Sequence, residues 1–266
     1  KEIKDLKRIP SVKSRERSKF IPAMTDKNGD KQTERTTLAN IFATFYEDLY
    51  SAPPESGEQI STGAVSSPDV QPFTKAELIK AIKSLKNNRC KDTAGIRAEM
   101  LKNGGETLTD LLLDLYNQIL LGRKKPPDFW KLSVINVLYK SGDPTLPQNY
   151  RPICIIPLLY KLFSKLLYSR LYPILDAAQC PDQAGFRNKY STVDHMFVFG
   201  MLHEKSEEFQ LNSWVAALDF KKAFDSINKD FLWSALEEQN VPKQYVGILQ
   251  NLYESQQAQV KTDKMS

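Results

Sequence analysis

The sequence has few of the residues that usually mark a metal site or a disulfide scaffold. Its 266 residues include 3 cysteines and 2 histidines. Cys90, Cys154 and Cys180 are far apart, odd in number and without Cys-x-x-Cys spacing, which predicts reduced, small apolar side chains in an intracellular protein. His195 and His203 are not spaced as ligands on one side of a helix, so we expect neither a zinc site nor a Ser-His-Asp triad.

Long apolar runs are also missing, and charge is unevenly placed. No stretch has membrane-spanning length and the N-terminus has no signal-peptide pattern, so we expect a soluble protein. The hydrophobic fraction of 41% is enough for a core, in one large domain or two small ones. Residues 1–20 contain 8 Lys/Arg against 3 Asp/Glu, which accounts for the whole net charge of +5. Such a basic arm suits a polyanion such as nucleic acid, and it is equally typical of a solvated leader.

Hydrophobic spacing predicts a chain in which helix outweighs strand. Thr74 and Glu77 form a capping box with Phe73 and Leu78 in staple positions. A helix over 106–122 is predicted to pack inward through Leu108, Leu111, Leu112, Leu115 and Ile119, and Gly122 can end it in the left-handed conformation. Further helices are predicted at 36–52, 158–176, 191–209, after Asn228, and from Pro242 to Tyr253. Strands are predicted at 134–138, 149–157, 214–218 and 258–263, and an exposed linker at 51–72.

One predicted strand ends on an acid. The apolar run from Trp214 to Leu218 stops at Asp219, and Asp225 follows before the next helix. A carboxylate at a strand end suits the two-metal chemistry of nucleotidyl transfer, because the strand fixes it while the strand terminus opens to solvent. Phe224 could close the floor of a sugar pocket. The same pattern is typical of an ordinary strand-to-helix turn.

Two further groups of residues could contact phosphates. Lys140 follows a strand and Arg151 lies in the extended segment "NYRPI", so they could clamp a triphosphate or be ordinary surface cations. The segment "PDQAGFRNKYST" places Gln183 and Arg187 around Gly185, as a phosphate-binding loop would, although many loops share this composition.

Taken together, "YKSGDPTLPQNYRPI", "DQAGFR" and "ALDFKKAFDSI" in this order resemble the reverse transcriptase of non-LTR, LINE-like retrotransposons. The likeness covers residues 73–266, and more loosely the segment "FYEDLY". It implies an α+β fold of the right-hand polymerase type, with fingers and an incomplete palm, that copies RNA into DNA with Mg²⁺. The implied regions are an N-terminal arm and lead helix at 1–50, the linker at 51–72, fingers at 73–211 and the start of the palm at 212–266.

The resemblance also implies roles for single residues. Asp219 would be the catalytic metal ligand with the Phe220 carbonyl beside it, and Phe224 would discriminate the sugar. Lys140 and Arg151 would hold the incoming deoxynucleoside triphosphate. The residues implied to shape the groove for RNA template and DNA primer are Gln183, Gly185, Phe186 and Arg187. Asp225 is expected to be structural.

Two departures from the family limit these expectations. Thr93 and Ala94 replace the turn residues of the family's Gly-Pro-Asp-Gly-Ile element. The chain also contains no Asp-Asp pair and no Gln-Gly-Asp-Pro loop, and Gly142-Asp143-Pro144 has the wrong context to replace the latter. One aspartate cannot hold two Mg²⁺ ions, so we expect this chain alone not to polymerise.

Three readings therefore stay open from the sequence. The chain is a fragment of an RNA-directed DNA polymerase, a non-catalytic RNA- or DNA-binding module, or a retrotransposon remnant without a function of its own. No membrane partner is expected, and a nuclear location is implied by the resemblance alone.

Overall fold

The computed structural model of the protein describes residues 21–50, 70–220, 222–225 and 227–262. The predicted basic arm and the predicted linker up to residue 69 lie outside the described residues. The chain divides into two compact units that alternate along the sequence: unit 1 comprises Lys1–Ser51, Leu132–Ile156 and Gln256–Ser266, and unit 2 comprises Ala52–Lys131 and Pro157–Ser255. The assignment of fingers and palm follows other boundaries and stays a prediction.

Unit 1 consists of a hairpin, one helix and a three-stranded sheet. The hairpin pairs β1 (Met24–Thr25) with β2 (Lys31–Gln32), and it precedes α1 (Arg35–Tyr50). The sheet contains β3 (Leu132–Tyr139), β4 (Tyr150–Ile155) and β5 (Gln257–Lys261). β3 lies in the centre, antiparallel to β4 and parallel to β5. The strands predicted at 134–138, 149–157 and 258–263 are thus confirmed in their described parts.

One face of this sheet packs on α1. Alternate residues of a strand point to opposite faces, so the apolar β-branched run can bury one row and expose the other. Ile135 and Tyr150 lie on the buried face. They share a core with residues of α1 at helical spacing, Leu38, Phe42 and Tyr46. On the opposite face, Leu138 and Ile153 are exposed. The second face of the sheet is therefore exposed at these two positions.

Unit 2 is helical. Its helices are α2 (Lys75–Lys83), α3 (Ala98–Lys102), α4 (Gly105–Leu120), α5 (Leu158–Ala178), α6 (Thr192–Glu208), α7 (Lys229–Glu238) and α8 (Lys243–Tyr253). The core takes apolar side chains from α2, α4, α5 and α8 around Tyr116 and Phe163, both with 0% exposure. Burial raises the pKa of the Tyr116 hydroxyl, which donates to the Leu159 carbonyl. The two units together confirm the predicted helix-rich α+β composition.

Helix ends follow the predicted signals closely. Thr74 and Glu77 form the capping box of α2. Gly122 follows α4 with φ of 70°, the conformation expected of a left-handed stop, and Asn228 caps α7 through its side-chain oxygen. The predicted inward face of α4 was wrong at Leu111, which is 64% exposed. The buried stripe of α4 passes through Tyr116 instead, because the ring of this residue packs toward α5.

Helix α6 is present where the sequence predicts it, but no residue of α6 is buried. Its exposed apolar side chains include Val193, Met196, Phe197, Phe199 and Leu202.

Among the described residues, no helix combines the length and the apolar character needed to cross a membrane. Cys90, Cys154 and Cys180 form no disulfide and all three are exposed, so they add nothing to the core.

Candidate nucleotide and template sites

Lys140 and Arg151 lie on neighbouring strands of unit 1. Arg151 pairs with Leu138 in the β3–β4 ladder, and Lys140 lies two residues beyond Leu138, where its N–H donates to the Asn149 carbonyl at 2.9 Å. The period of two therefore places both cations on the exposed face of the sheet as diagonal neighbours, a relation that separates the two positions by roughly 7–8 Å. Neither cation forms an ion pair with any described residue. Two accessible positive charges at this spacing can bind neighbouring phosphates.

The turn between β3 and β4 holds these cations in register. Asp143 accepts hydrogen bonds from the Thr145 N–H at 2.8 Å and the Thr145 hydroxyl at 2.7 Å, and these bonds lower the pKa of its carboxyl. Gly142 has φ of 93°, and a Cβ there would lie 2.8 Å from the Asn149 side-chain nitrogen. Tyr150 donates to the Pro144 carbonyl at 2.7 Å. The Gly-Asp-Pro segment thus closes the β3–β4 connection.

The "QAGFR" loop lies in unit 2 between α5 and α6. Gln183 is exposed, and its side-chain amide donates to the Gly185 carbonyl at 3.2 Å. Phe186 is 86% exposed and has φ of 64°, so the loop turns at phenylalanine. Gly185 is outside the left-handed region. The loop presents an aromatic ring and an amide to solvent.

Arg187 is bound within its own loop. Its Nε donates to Asp176 Oδ1 at 2.9 Å, and its Nη1 donates to the carbonyls of Cys180 at 3.2 Å and Gln183 at 3.3 Å. The guanidinium lies 4.6 Å from the ring centroid of Tyr190. The hydrogen bond that Arg187 donates to Asp176 raises the pKa of Arg187. With a side chain only 11% exposed, this arginine mainly connects the loop to the end of α5.

The segment that leads to Asp219 differs from the prediction. Residues 211–220 have no regular secondary structure, and Trp214 and Leu218 are 93% and 89% exposed. The predicted strand at 214–218 was wrong, because a strand needs a hydrogen-bonded neighbour and none of the described strands pairs with this segment. Asp219 is exposed, and Phe220 is 80% exposed. Residues 214–218 thus have the predicted apolar composition but do not form the strand that would fix the position of Asp219.

Phe224 contacts the "QAGFR" loop directly. Its ring centroid lies 5.5 Å from that of Phe186, with the ring planes at 88°. This edge-to-face geometry is a favourable aromatic contact. Phe224 is 73% exposed, so the pair offers an open aromatic surface. The Asp225 N–H donates to the Lys222 carbonyl at 2.9 Å within the turn before α7.

The described residues do not complete a metal site. No three His, Cys, Asp or Glu side chains lie together in that part of the chain in a way that could hold an ion. Asp219 is therefore an isolated candidate ligand, and the residues described do not fit a two-metal centre.

Sequence reasoning missed the role of Asp92, which is 8% exposed. Its Oδ1 accepts from the N–H groups of Ala94 at 3.0 Å and Ile96 at 2.7 Å, and its Oδ2 accepts from the Leu158 N–H at 2.7 Å. Asp92 therefore shapes the loop that departs from the family's turn and satisfies the first N–H of α5. An acid before a Gly in a turn-like segment signals the loop, but nothing local indicates Leu158.

Comparison with known proteins bears on these sites. Residues 138–265 match the family model described as "Reverse transcriptase (RNA-dependent DNA polymerase)". Residues 138–265 are therefore similar to reverse transcriptases. The match spans Lys140, Arg151, the "QAGFR" loop, Asp219 and Phe224, and the resemblance to reverse transcriptases of non-LTR retrotransposons is confirmed.

Similar proteins cover most of this chain. It is 25% identical over 254 residues to the Transposon TX1 uncharacterized 149 kDa protein of Xenopus laevis, which covers 91% of this chain and 19% of that protein. It is 29% identical over 212 residues to the Probable RNA-directed DNA polymerase from transposon BS of Drosophila melanogaster, covering 78% of this chain and 23% of that protein. It is also 26% identical over 238 residues to the Probable RNA-directed DNA polymerase from transposon X-element of Drosophila melanogaster, covering 88% of this chain and 26% of that protein. The chain thus spans about a fifth to a quarter of these relatives' length.

Proposed function

We propose that this chain is part of an RNA-directed DNA polymerase that copies an RNA template into DNA during retrotransposition, and that it supplies the fingers and the start of the palm. The observation that carries the proposal is the pair of exposed cations, Lys140 and Arg151, on neighbouring strands within the residues that match the reverse transcriptase family. An antiparallel ladder keeps the spacing of such a pair fixed, which suits a ligand with neighbouring phosphates. A deoxynucleoside triphosphate is such a ligand.

The remaining site residues take roles consistent with that substrate. Phe224 limits the sugar to one without a 2′-hydroxyl. Asp219 and the Phe220 carbonyl would hold Mg²⁺ only together with further carboxylates, and the ion would then neutralise charge at the phosphates. The residues that shape the template and primer groove are Gln183, Gly185, Phe186 and Arg187. Because the described residues offer one candidate carboxylate, we expect no primer extension by this chain alone. A nuclear location belongs to this proposal too.

Primer extension in a longer protein that includes these residues tests the proposal. The assay measures incorporation of deoxynucleotides on an RNA template annealed to a DNA primer. Lys140→Ala and Arg151→Ala should each raise the KM for the deoxynucleotide several-fold, because each removes one phosphate contact. Lys161→Ala, which removes an exposed lysine from α5, serves as the matched control and should leave the KM unchanged. Equal KM values for Arg151→Ala and the control would refute the assigned clamp.

The catalytic assignment has its own variant. Asp219→Asn preserves the size of the side chain and removes its charge, so it should abolish extension in the longer protein while leaving binding of template and primer intact. If the Asn variant kept its rate, Asp219 would not be a metal ligand. Phe224→Ala should increase incorporation of ribonucleotides relative to deoxynucleotides, and an unchanged ratio would contradict its role.

A second candidate function is binding of RNA or DNA without catalysis. The isolated position of Asp219 among the described residues and the exposed cations of unit 1 favour it. Binding by the chain itself should weaken with salt, with a log-log slope of about −0.7 to −0.9 for each neutralised phosphate. Binding that does not change between roughly 50 and 200 mM KCl would count against this function.

A further inference from the structure

The Arg187 side chain has little of its charge available to a ligand. An acid at 2.9 Å and two backbone carbonyls accept its hydrogen bonds, a tyrosine ring covers one face, and 11% of the side chain is exposed. A phosphate contact would require breaking the pair with Asp176. Arg187 therefore links the loop to α5 through its ion pair with Asp176.

On α5, the residues that contact the loop are two side chains on one face of the helix. Tyr172 and Asp176 are four residues apart, and the Tyr172 hydroxyl donates to Asp176 Oδ1 at 3.1 Å. The same hydroxyl accepts from the Asn188 N–H at 2.9 Å. Arg187 and Asn188 are thus fastened side by side to the last turns of α5. Both attachments follow Phe186 directly in the chain.

Phe186 needs such support. Its φ of 64° lies in the left-handed region, which is unfavourable for a residue with a Cβ and persists only where surrounding contacts hold it. In this conformation the ring is 86% exposed and meets Phe224 edge to face at 5.5 Å. If the loop detached from α5, nothing in its immediate sequence would keep the ring against Phe224.

We infer that Asp176 and Tyr172 are positioning residues that act through Arg187 to hold the Phe186–Phe224 ring pair as a stacking surface for a nucleotide. The inference rests on the proposed function in one respect, that the ligand is nucleic acid. The rings supply the contact, since every base has a π-face that can pack on an aromatic side chain. Arg187 then shapes the groove from within, without neutralising a phosphate.

Salt-dependent binding separates this role from a direct phosphate contact. The full chain is titrated against a fluorescein-labelled RNA template annealed to a DNA primer over a series of KCl concentrations. Positioning predicts that Asp176→Ala and Arg187→Ala each weaken binding about five- to tenfold with the log-log salt slope unchanged, because a stacking contact is lost and no phosphate contact is. The charge-swapped double variant, Asp176→Arg with Arg187→Asp, should restore part of the affinity.

A direct phosphate contact predicts the opposite sign at Asp176. Removing the acid would free the guanidinium, so Asp176→Ala would bind more tightly, while Arg187→Ala would reduce the slope by about 0.7–0.9. Either result would overturn the inference. Asp182→Ala is the matched control, because it removes an exposed carboxylate from the same loop that has no ion pair with Arg187. It reports the effect of the lost charge alone.

A second measurement does not depend on nucleic acid. Trypsin cleaves after Lys189, and the rate of cleavage there reports how firmly the loop is held. Asp176→Ala and Tyr172→Phe should be cleaved about three to ten times faster than the unaltered chain, and Asp182→Ala at the same rate as the unaltered chain. Equal rates in all of them would overturn the inference by themselves. Absence of any binding by the unaltered chain would instead count against the proposed function.

Discussion

The ion pair between Glu77 and Arg170 makes unit 2 sensitive to acid. Arg170 donates from Nε to Glu77 Oε1 and from Nη2 to Glu77 Oε2, both at 2.9 Å, and its guanidinium lies 4.5 Å from the ring centroid of Phe73. It also donates to the Pro72 carbonyl at 2.7 Å. One arginine on α5 therefore fastens the start of α2. Removing the charge of Glu77 is the perturbation that tests this connection.

The magnitude follows from the pKa of Glu77. The bonds from Arg170 lower it from 4.5 to about 2. Each pKa unit corresponds to about 1.4 kcal/mol, which sets a ceiling of about 3 kcal/mol. The side chain is 31% exposed, and solvent screening brings the expected contribution to about 1–2 kcal/mol. Because the folded pKa is the lower one, this stability is complete above pH 4.5 and is lost as the pH falls toward 2.

Urea unfolding followed by far-UV circular dichroism measures the effect. At pH 7, Glu77→Gln should lower the free energy of unfolding by about 1–2 kcal/mol, and the variant should lose correspondingly less stability than the unaltered chain between pH 4.5 and 2. Glu106→Gln is the control, since this carboxylate pairs with Lys75 but is 80% exposed and should change stability by less than about 0.5 kcal/mol. If Glu77→Gln and the unaltered chain had the same dependence on pH, the reasoning would be refuted.

Three other expectations follow from the structure. Asp92→Ala should lower the free energy of unfolding by about 2–3 kcal/mol, because three backbone N–H groups lose a charged acceptor. Urea titration measures this, and a change below about 0.5 kcal/mol, the size expected of a neutral surface substitution, would contradict it. Gly142→Ala should cost about 1–2 kcal/mol because of its positive φ, whereas Gly200→Ala, in open space on α6, should not destabilise. The exposed face of α6 should bind a hydrophobic dye, and Phe197→Glu or Leu202→Glu should reduce that binding at unchanged helix content; unchanged dye fluorescence would argue against this surface.

Local signals were enough to predict every helix except α3, and several of the helix ends. The Thr74–Glu77 capping box and the stop at Gly122 depend on residues within one turn, so the sequence carries the whole interaction. Asp92 could not be predicted in the same way, because the N–H it satisfies belongs to Leu158, 66 residues later. Long-range partners depend on how helices pack, which the periodicity of a single helix does not contain. The prediction that Leu111 faces inward was wrong for the same reason.

The candidate site shows the same division. The sequence placed Lys140 after one strand and Arg151 in the next extended segment, and the antiparallel β3–β4 ladder brings them together as neighbours. The pairing of Arg187 with Asp176 was not predicted, because an arginine in a glycine-containing loop looks the same whether it faces a ligand or its own helix. Only the carbonyls and the acid around it distinguish the two.

Asp219 shows why a motif can specify chemistry without specifying geometry. A carboxylate becomes a metal ligand only if its backbone is fixed, and in a strand that rigidity comes from the hydrogen bonds of a neighbour. The run before Asp219 has the apolar composition of a buried strand, yet Trp214 and Leu218 are almost fully exposed and no described strand lies beside them. The lack of a paired strand and of a covering face among the described residues accounts for the isolated acid and the exposed apolar side chains. An arrangement that pairs residues 214–218 and also covers the face with Trp214 would bury the apolar side chains and fix the backbone of Asp219, so the two changes should then occur together.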